Sequence, residues 1–315
     1  MNILVSGSLA YDYIMDFPDS FKNHILPDQI HILNVSFVVD KLQKNLGGTA
    51  GNIGYTINLL GTKPTILGSL GSDASEYSDW FKKHSISMDH IPVSDRMLTA
   101  SAYITTDKDD NQINAFYPGA LGGDDQISIN DVKKHIDLAI VSPTKKEAMI
   151  KHAKECNDLQ IPLVFDPGQQ ITALLPQELM GAIGQAKFLI GNDYEMKMME
   201  KKTGWNENEL LEHVDVLIIT LGEKGSVIKT KEETIEIKSC PPQSVEDPTG
   251  AGDAYRAGFF TAYVNGENLK TCGQVASVSA SYAIEHYGTQ NHSFTIEEFG
   301  ERYEKTYGDK INFNI

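Results

Sequence analysis

Between residues 131 and 219, short apolar runs alternate with longer segments of helical spacing. No other feature restricts the fold as strongly. Asp137 to Val141, Pro162 to Phe165, Phe188 to Ile190 and Val214 to Ile219 read as strands, and Lys145 to Asn157 and Pro176 to Ala186 read as helices. Strand–helix alternation with short connections predicts a parallel sheet covered on both faces. Ile3-Leu4-Val5 supplies a first strand, and Thr65-Ile66-Leu67 is a strand that turns at Gly68 to Gly71. With 315 residues, 41% of them hydrophobic, the chain can bury one large α/β core and carry a small appendage. The sequence holds no internal repeat and no low-complexity linker.

Two stretches interrupt the alternation. In 13–45, Phe17-Pro18, Pro27-Asp28 and the run Ile30 to Val39 read as loops and extended strands, with no helix before Gly47. In 97–121 the pattern is a hairpin: Ser101 to Thr106, a turn at Asp107 to Asn111, then Gln112 to Tyr117. Core elements separate the two stretches, among them a short helix over Ser78 to His84 and a connection at Ile91-Pro92-Val93. The interruptions are either edge strands of the main sheet or a separate small β layer.

Charge narrows the partners. With 27 Lys and Arg against 43 Asp and Glu, the net charge is −16, the wrong sign for nucleic acid or an anionic membrane. An anionic ligand must then be held by local dipoles and cations. Met1 to Val5 has no basic region and no long apolar core, and no apolar run approaches a membrane span, so the expected location is cytoplasmic. Cys156, Cys240 and Cys272 are too widely spaced for a metal pattern or a disulfide framework and read as reduced thiols.

Against this acidic background stands Asp247-Pro248-Thr249-Gly250-Ala251-Gly252-Asp253, which runs into the apolar segment Ala254 to Phe260. Pro and two closely spaced Gly permit a tight turn, and the apolar run predicts a buried helix beginning near Asp253. Such a turn aims unpaired N–H groups at one point, with the positive end of the helix dipole behind them. The carboxylate of Asp253 among those donors is either a helix cap or a base that takes a proton from a hydroxyl attacking phosphate.

Other candidates sit at predicted strand ends, where ligands of open α/β sheets gather. Asp12 follows the first strand and reads as an acceptor for two hydroxyls or as a solvated loop residue. Gly47-Gly48-Thr49-Ala50-Gly51-Asn52 precedes a helical run from Ile53 to Leu60 that Gly61 ends. Its paired glycines allow close approach of a ligand, and Asn52 can donate and accept toward a polyol. Asn192-Asp193-Tyr194-Glu195 suits Mg²⁺ through oxygen ligands and equally suits a capping box. Thr220-Leu221-Gly222-Glu223-Lys224-Gly225 could be any hairpin turn. Ala276 to Glu285 is a helix of small residues. Neither GxxxxGK[ST] nor GxGxxG is present.

The heptapeptide at 247–253, with Gly47-Gly48 followed by Asn52, resembles the signature of the ribokinase-like (phosphofructokinase B, PfkB) family of sugar and nucleoside kinases. Thr220-x-Gly222-x-x-Gly225 matches the family's nucleotide-side turn. The resemblance implies a three-layer α/β/α core with a mainly parallel sheet, built from 1–12, 46–96 and 122–315. It also implies that 13–45 and 97–121 pair into a β lid over the acceptor. In the same terms Asp253 is the base, and Gly250, Ala251, Gly252 and Asp253 form an anion hole. Asp12, Gly48, Asn52 and Phe116 bind the acceptor, and Thr220, Gly222, Gly225 and Asn192 line ATP. Ser277 stands where several members use an Asn against adenine. Asn192 and Glu195 serve Mg²⁺, Glu195 through water, and Asp247 and Thr249 are the nearest candidates for a monovalent cation, K⁺. His286 to His292 and Gln112 to Ala120 resemble the bacterial adenosine and nucleoside kinase branch, which implies transfer from ATP to the 5′-hydroxyl of adenosine or a related nucleoside. A ribokinase- or fructokinase-type sugar kinase is the rival, and a catalytically silent sugar- or nucleotide-binding regulator a second. The partners implied are a small nucleoside or sugar and ATP, in a monomer or homodimer, with no nucleic acid or membrane.

Overall fold

The computed structural model describes residues 1–25, 34–109 and 111–311. The chain opens with β1 (Asn2–Ser6), β2 (Ala10–Asp16), β3 (Lys41–Gly47), α1 (Thr49–Leu59), β4 (Lys63–Leu67), α2 (Ser75–Lys83), β5 (Ala100–Thr106) and β6 (Gln112–Tyr117). It continues through β7 (Leu138–Val141), α3 (Lys146–Asp158), β8 (Leu163–Phe165), α4 (Pro176–Ile183), β9 (Phe188–Asn192), α5 (Asp193–Thr203), α6 (Glu207–His213) and β10 (Val216–Thr220). β11 (Ser226–Lys229), β12 (Thr234–Ile237), α7 (Ala251–Val264), α8 (Leu269–Ile284) and α9 (Ile296–Tyr307) complete it.

The main sheet runs β12-β11-β10-β9-β8-β7-β1-β4, parallel from β10 to β4 and antiparallel at β11 and β12. Successive strand residues point to opposite faces, and the core divides accordingly. Ile3, Val5, Phe188, Ile190 and Ile218 face α1, α7, α8 and α9, whereas Leu4, Leu189, Leu217 and Ile219 face α3 to α6. The three-layer core read from the alternation is therefore present. The hairpin β11–β12 escaped the reading because its outer residues, Lys229, Thr234 and Glu236, dilute the apolar signal.

The second sheet runs β3-β2-β5-β6 and is separate from the first. The register aligns Asn45, Asp12, Ala102 and Phe116 in one row and Gln43, Ile14, Ile104 and Asn114 in the next, all on one face. Tyr11, Tyr13, Tyr103 and Tyr117 occupy the opposite face, where Tyr13 and Tyr103 stack at 4.9 Å. The sheet starts at Ala10 and its second strand ends at Gly47, so it extends beyond the 13–45 stretch at both ends. Within that stretch, Pro27-Asp28 and the first part of the Ile30 to Val39 run lie outside the described residues, residues 34–39 form no strand, and Phe21–Asn23 makes a short 3-10 turn. Residue 110 of the hairpin turn is likewise outside them. Among the described residues no helix is long and apolar enough to cross a membrane, and the three cysteines are buried and unpaired.

α7 is seated by contact with α8. A Cβ on Gly258 would lie 2.8 Å from Ala276 Cα and would also collide with Ser279 Oγ. Gly258→Val is therefore expected to destabilise the fold by about 1–3 kcal/mol, the usual cost of overpacking. The midpoint of urea unfolding would report it, at an unchanged m-value.

Candidate active site

The first turn of α7 lies at the carboxyl ends of the parallel strands and organises the site. Gly250 has a φ of 82°, a left-handed conformation that glycine adopts without strain, and the helix begins directly after it at Ala251. The start is earlier than the sequence indicated, so Asp253 belongs to the first turn rather than preceding it. The Ala251 N–H turns back to the Pro248 carbonyl at 3.3 Å. The N–H groups of Gly252 and Asp253, free by position in the helix, meet no protein acceptor among the described residues.

Asp253 is held from α1. Asn52 Nδ2 donates to Asp253 Oδ2 at 2.8 Å. Asn52 Oδ1 accepts from Thr289 Oγ1 at 2.8 Å and from Gln290 Nε2 at 3.1 Å. Gln290 Nε2 also donates to the Tyr77 hydroxyl, which donates to the Gly47 carbonyl at 2.6 Å. Asn52, which the sequence offers to a polyol, is buried: its Oδ1 receives two hydrogen bonds and its Nδ2 donates one to the carboxylate, which it orients. α1 begins at Thr49 and so brings Asn52 into the helical turn beside α7.

One turn beyond Asp253, Arg256 reaches back beneath the loop. Its Nη2 donates to Asp166 Oδ1 at 2.6 Å, its Nε lies 2.5 Å from Asp166 Oδ2, and its Nη1 donates to the Gly252 carbonyl at 2.9 Å. Arg256 is 7% exposed and Asp166 1%. The sequence reading gave neither a role. The available signals were an Asp directly after β8 and an Arg inside a run otherwise of small and aromatic residues.

Asp12 lies within β2, not in a loop after β1, on the inner face of the small sheet. Burial pushes its carboxyl up to about 6, with the charges of Asp253 and Asp247 adding to the effect. Burial likewise raises Asp253 to about 6, against the opposing pull of Arg256 and the Asn52 hydrogen bond, while Asp166 and Glu195 add to the rise. Glu195 is raised by burial and then by Asp166, with the Asn192 N–H and Arg256 opposing. Arg256 loses by burial but is kept firmly protonated by Asp166, Asp253 and Glu195.

The remaining candidates divide. Asn192 and Glu195 form a capping box at the start of α5, each accepting the other's backbone N–H at 2.8 Å. Thr220 ends β10, and Gly222 and Gly225 flank the short turn after it. Gly48 and Gly225 have φ of 88° and 93°, and both abut the chain's own backbone, at Ser8 to Ala10 and at Ile237. Asp247 Oδ1 accepts from Thr249 N–H at 2.9 Å and Oδ2 from Gly288 N–H at 3.1 Å, so its carboxylate braces the turn while Thr249 is exposed. Ser277 Oγ accepts from Cys240 N–H at 2.7 Å in the protein interior, which ties α8 to the segment after β12. Phe116, 58% exposed, shares the row of Asp12. The small-sheet face also carries two residues the sequence did not single out, Gln43 and Asn45, whose Oε1 and Nδ2 atoms are buried without partners.

A family model described as pfkB family carbohydrate kinase matches residues 15–296. The chain belongs to the PfkB family. The nucleoside kinase of Methanocaldococcus jannaschii is 34% identical over 301 residues, covering 95% of each chain. The structure of the Burkholderia thailandensis nucleoside kinase in complex with inosine superposes with a TM-score of 0.90 at 38% identity, covering 98% of this chain and 99% of that one. The complex of the same enzyme described as ADP-inosine gives 0.88 at 39% identity, covering 98% and 97%.

This PfkB-family protein is thus a ribokinase-like α/β phosphotransferase with a hydroxyl acceptor. Such chemistry asks for alignment and positive potential around the transferred phosphoryl group rather than for covalent work. The start of α7 brings together two free helix N–H groups, a carboxylate fixed by an amide and a buried guanidinium.

The crowded carboxylates have a cost in stability. Their folded pKa lies above the ordinary 3.8, so between about pH 4 and 6 the native state binds more protons than the unfolded chain. Stability then falls as pH rises through that window and remains lower above it. Asp253→Asn is expected to melt at a higher temperature than the parent at pH 7.5, with the gap closing near pH 4. Thermal denaturation followed by circular dichroism at the two pH values checks this.

Proposed function

We propose that this kinase transfers the γ-phosphoryl group of ATP to the 5′-hydroxyl of a nucleoside, adenosine or a close purine nucleoside. The observation that carries this is the inner face of the small sheet. Ile14, Ala102, Ile104 and Phe116 give it an apolar strip beside Asp12, with Gln43, Asn45 and Asn114 at its margins. A bare sugar has no flat apolar surface for such a strip, whereas a nucleoside presents a base above its diol. The identity with nucleoside kinases over nearly the whole chain supports the same reading. The aromatic supply is narrower than the sequence suggested. Tyr103 and Tyr117 lie on the opposite face, and Phe17 and Phe37 pack with Phe21, leaving Phe116.

In this reading Asp12 accepts the ribose hydroxyls, and the small sheet covers the acceptor as a lid. The N–H groups of Gly252 and Asp253 face the transferring phosphoryl group, backed by the α7 dipole. Asp253, oriented by Asn52, takes the proton of the attacking hydroxyl late in the transfer. Thr220 and the turn after it line the nucleotide. Glu195 and Asn192 would meet Mg²⁺ largely through water, because one oxygen of each already receives the other's backbone N–H, while among the described residues the half-buried Glu195 carboxylate makes no ion pair. There Mg²⁺ would neutralise phosphate charge. Asp247 and Thr249 fit a monovalent cation poorly, since the carboxylate oxygens already receive backbone N–H groups and Thr249 faces solvent. A silent regulator is disfavoured because the carboxylate, its orienting amide and the free N–H groups are all retained.

Asp253→Asn is expected to lower kcat at least 10²-fold, the scale of general-base catalysis, with ADP affinity kept. Initial rates and calorimetric titration with ADP measure both, and near-normal turnover would remove Asp253 from the role of base. The acid limb of kcat/KM for the parent should lie near pH 6, set by Asp253 and Asp12 as a coupled pair.

Among adenosine, inosine, cytidine, ribose and fructose, a purine nucleoside should give the highest kcat/KM. Phe116→Ala should lower that value about 10-fold for nucleosides, within the ~1–3 kcal/mol of base stacking, and leave ribose unchanged. Preference for ribose or fructose over every nucleoside would place the sugar-kinase reading first.

A further inference from the structure

We propose that Arg256, clamped by Asp166, is a positioning residue for phosphoryl transfer: it fixes the Gly252–Asp253 peptide so that the Asp253 N–H faces the reacting phosphoryl group. This rests on the reading of Asp253 and its loop given above. The geometry comes from one peptide plane. Arg256 Nη1 donates to the Gly252 carbonyl, and the N–H on the far side of that same planar unit is the Asp253 N–H, which has no protein acceptor among the described residues. Fixing the oxygen fixes the direction of the hydrogen. A donor to that carbonyl also polarises the peptide and strengthens its N–H as a donor.

The clamp is buried and held at two points. Nη2 donates to Asp166 Oδ1 at 2.6 Å, at the end of β8, a central strand of the main sheet, and Nε lies 2.5 Å from Oδ2 as an ion-pair contact without hydrogen-bond geometry. Because the guanidinium is planar, the Nη2 bond to Asp166 and the Nη1 bond to the Gly252 carbonyl keep a fixed relative direction, which a lysine ammonium would not impose. The contact explains Gly252 as well, since a Cβ there would lie 2.8 Å from Arg256 Nη1. An Arg in the interior of a chain of net charge −16 is also a fixed cation beneath a site that must receive a polyanion.

The charged and titratable groups that face Asp253 are Arg256 on α7, Asp166 after β8, Glu195 on α5, Asp12 on β2 and Tyr77 on α2, with Asn52 on α1 as its hydrogen-bond partner. Removal of Arg256 or of Asp166 therefore acts on the base in opposite senses. Loss of the cation favours the protonated carboxyl, and loss of the neighbouring anion favours the carboxylate.

The test compares Arg256→Met, Arg256→Lys and Asp166→Asn with the parent, using kcat, both KM values, the pH profile of kcat/KM and calorimetric titration with ADP. All three are expected to lose kcat, roughly 10²-fold for Arg256→Met, as when an oxyanion donor is removed. The nucleoside KM and the ADP affinity should stay within about threefold. The acid limb should move up for Arg256→Met, stay in place for Arg256→Lys and move down for Asp166→Asn. A general loss of structure would not produce shifts of opposite sign. If Arg256→Met fails to fold, Arg256→Lys and Asp166→Asn decide the matter. Turnover within threefold of the parent in folded Arg256→Lys and Asp166→Asn, or limbs that shift together, overturns the proposal. Asp253→Asn in the same series separates the two readings: full turnover there removes the base, whereas lost turnover there with intact Arg256 variants removes only the clamp.

Discussion

A carboxylate in the first turn of a helix ordinarily gains from the dipole and from free N–H groups, which lower its pKa. Asp253 has that position, yet its pKa is raised to about 6, because burial outweighs the cation and the amide bonded to it. The two effects are balanced at Asp253: burial raises the carboxyl, and Arg256 and Asn52 oppose that rise, so loss of either partner would raise it further.

That balance requires neighbours whose positions cannot drift, and the fold provides them from independent elements. Asn52 comes from α1, and its own oxygen is fixed by Thr289 and Gln290 from the segment before α9. Arg256 comes from α7 and Asp166 from the end of β8. Gly258 lets α7 lie close against α8, which sets the angle at which the first turn meets the strand ends. Packing far from the chemistry thus controls where the N–H groups of Gly252 and Asp253 point.

Much of this was legible before any coordinates. The alternation of apolar strands and helices led to the layered core, and the 247–253 stretch marked the helix start that carries the site. Pairwise engagement was harder to read. Asn52 was identified as a polar residue after a glycine pair, but nothing in a linear pattern says that its amide would meet Asp253, Thr289 and Gln290. Asp166 and Arg256 are 90 residues apart and meet only when β8 and α7 are adjacent. Ser277, placed by resemblance where family members use an Asn against adenine, has its hydroxyl receiving the Cys240 N–H in the interior, a partner that no local pattern announces. Tyr103, Phe116 and Tyr117 lie in extended segments as expected, whereas Phe17 and Phe37 lie outside the strands, and the side each residue takes depends on a register that alternation alone does not set.

Register also determines what the small sheet can do. With period two along each strand, a one-residue slip would exchange the Asp12 face for the tyrosine face. The base of the sheet is pinned against such a slip by Tyr11, which is fully buried against Tyr77 and donates to the Asp73 carbonyl at 2.9 Å. Beyond that anchor the sheet reaches into solvent, and β6 is exposed along its whole length. An apolar strip ending in an exposed Phe116 gains nothing from folding alone. Such a residue is best understood through what covers it, and in the proposed function the cover is the flat face of a base whose sugar is already held by Asp12.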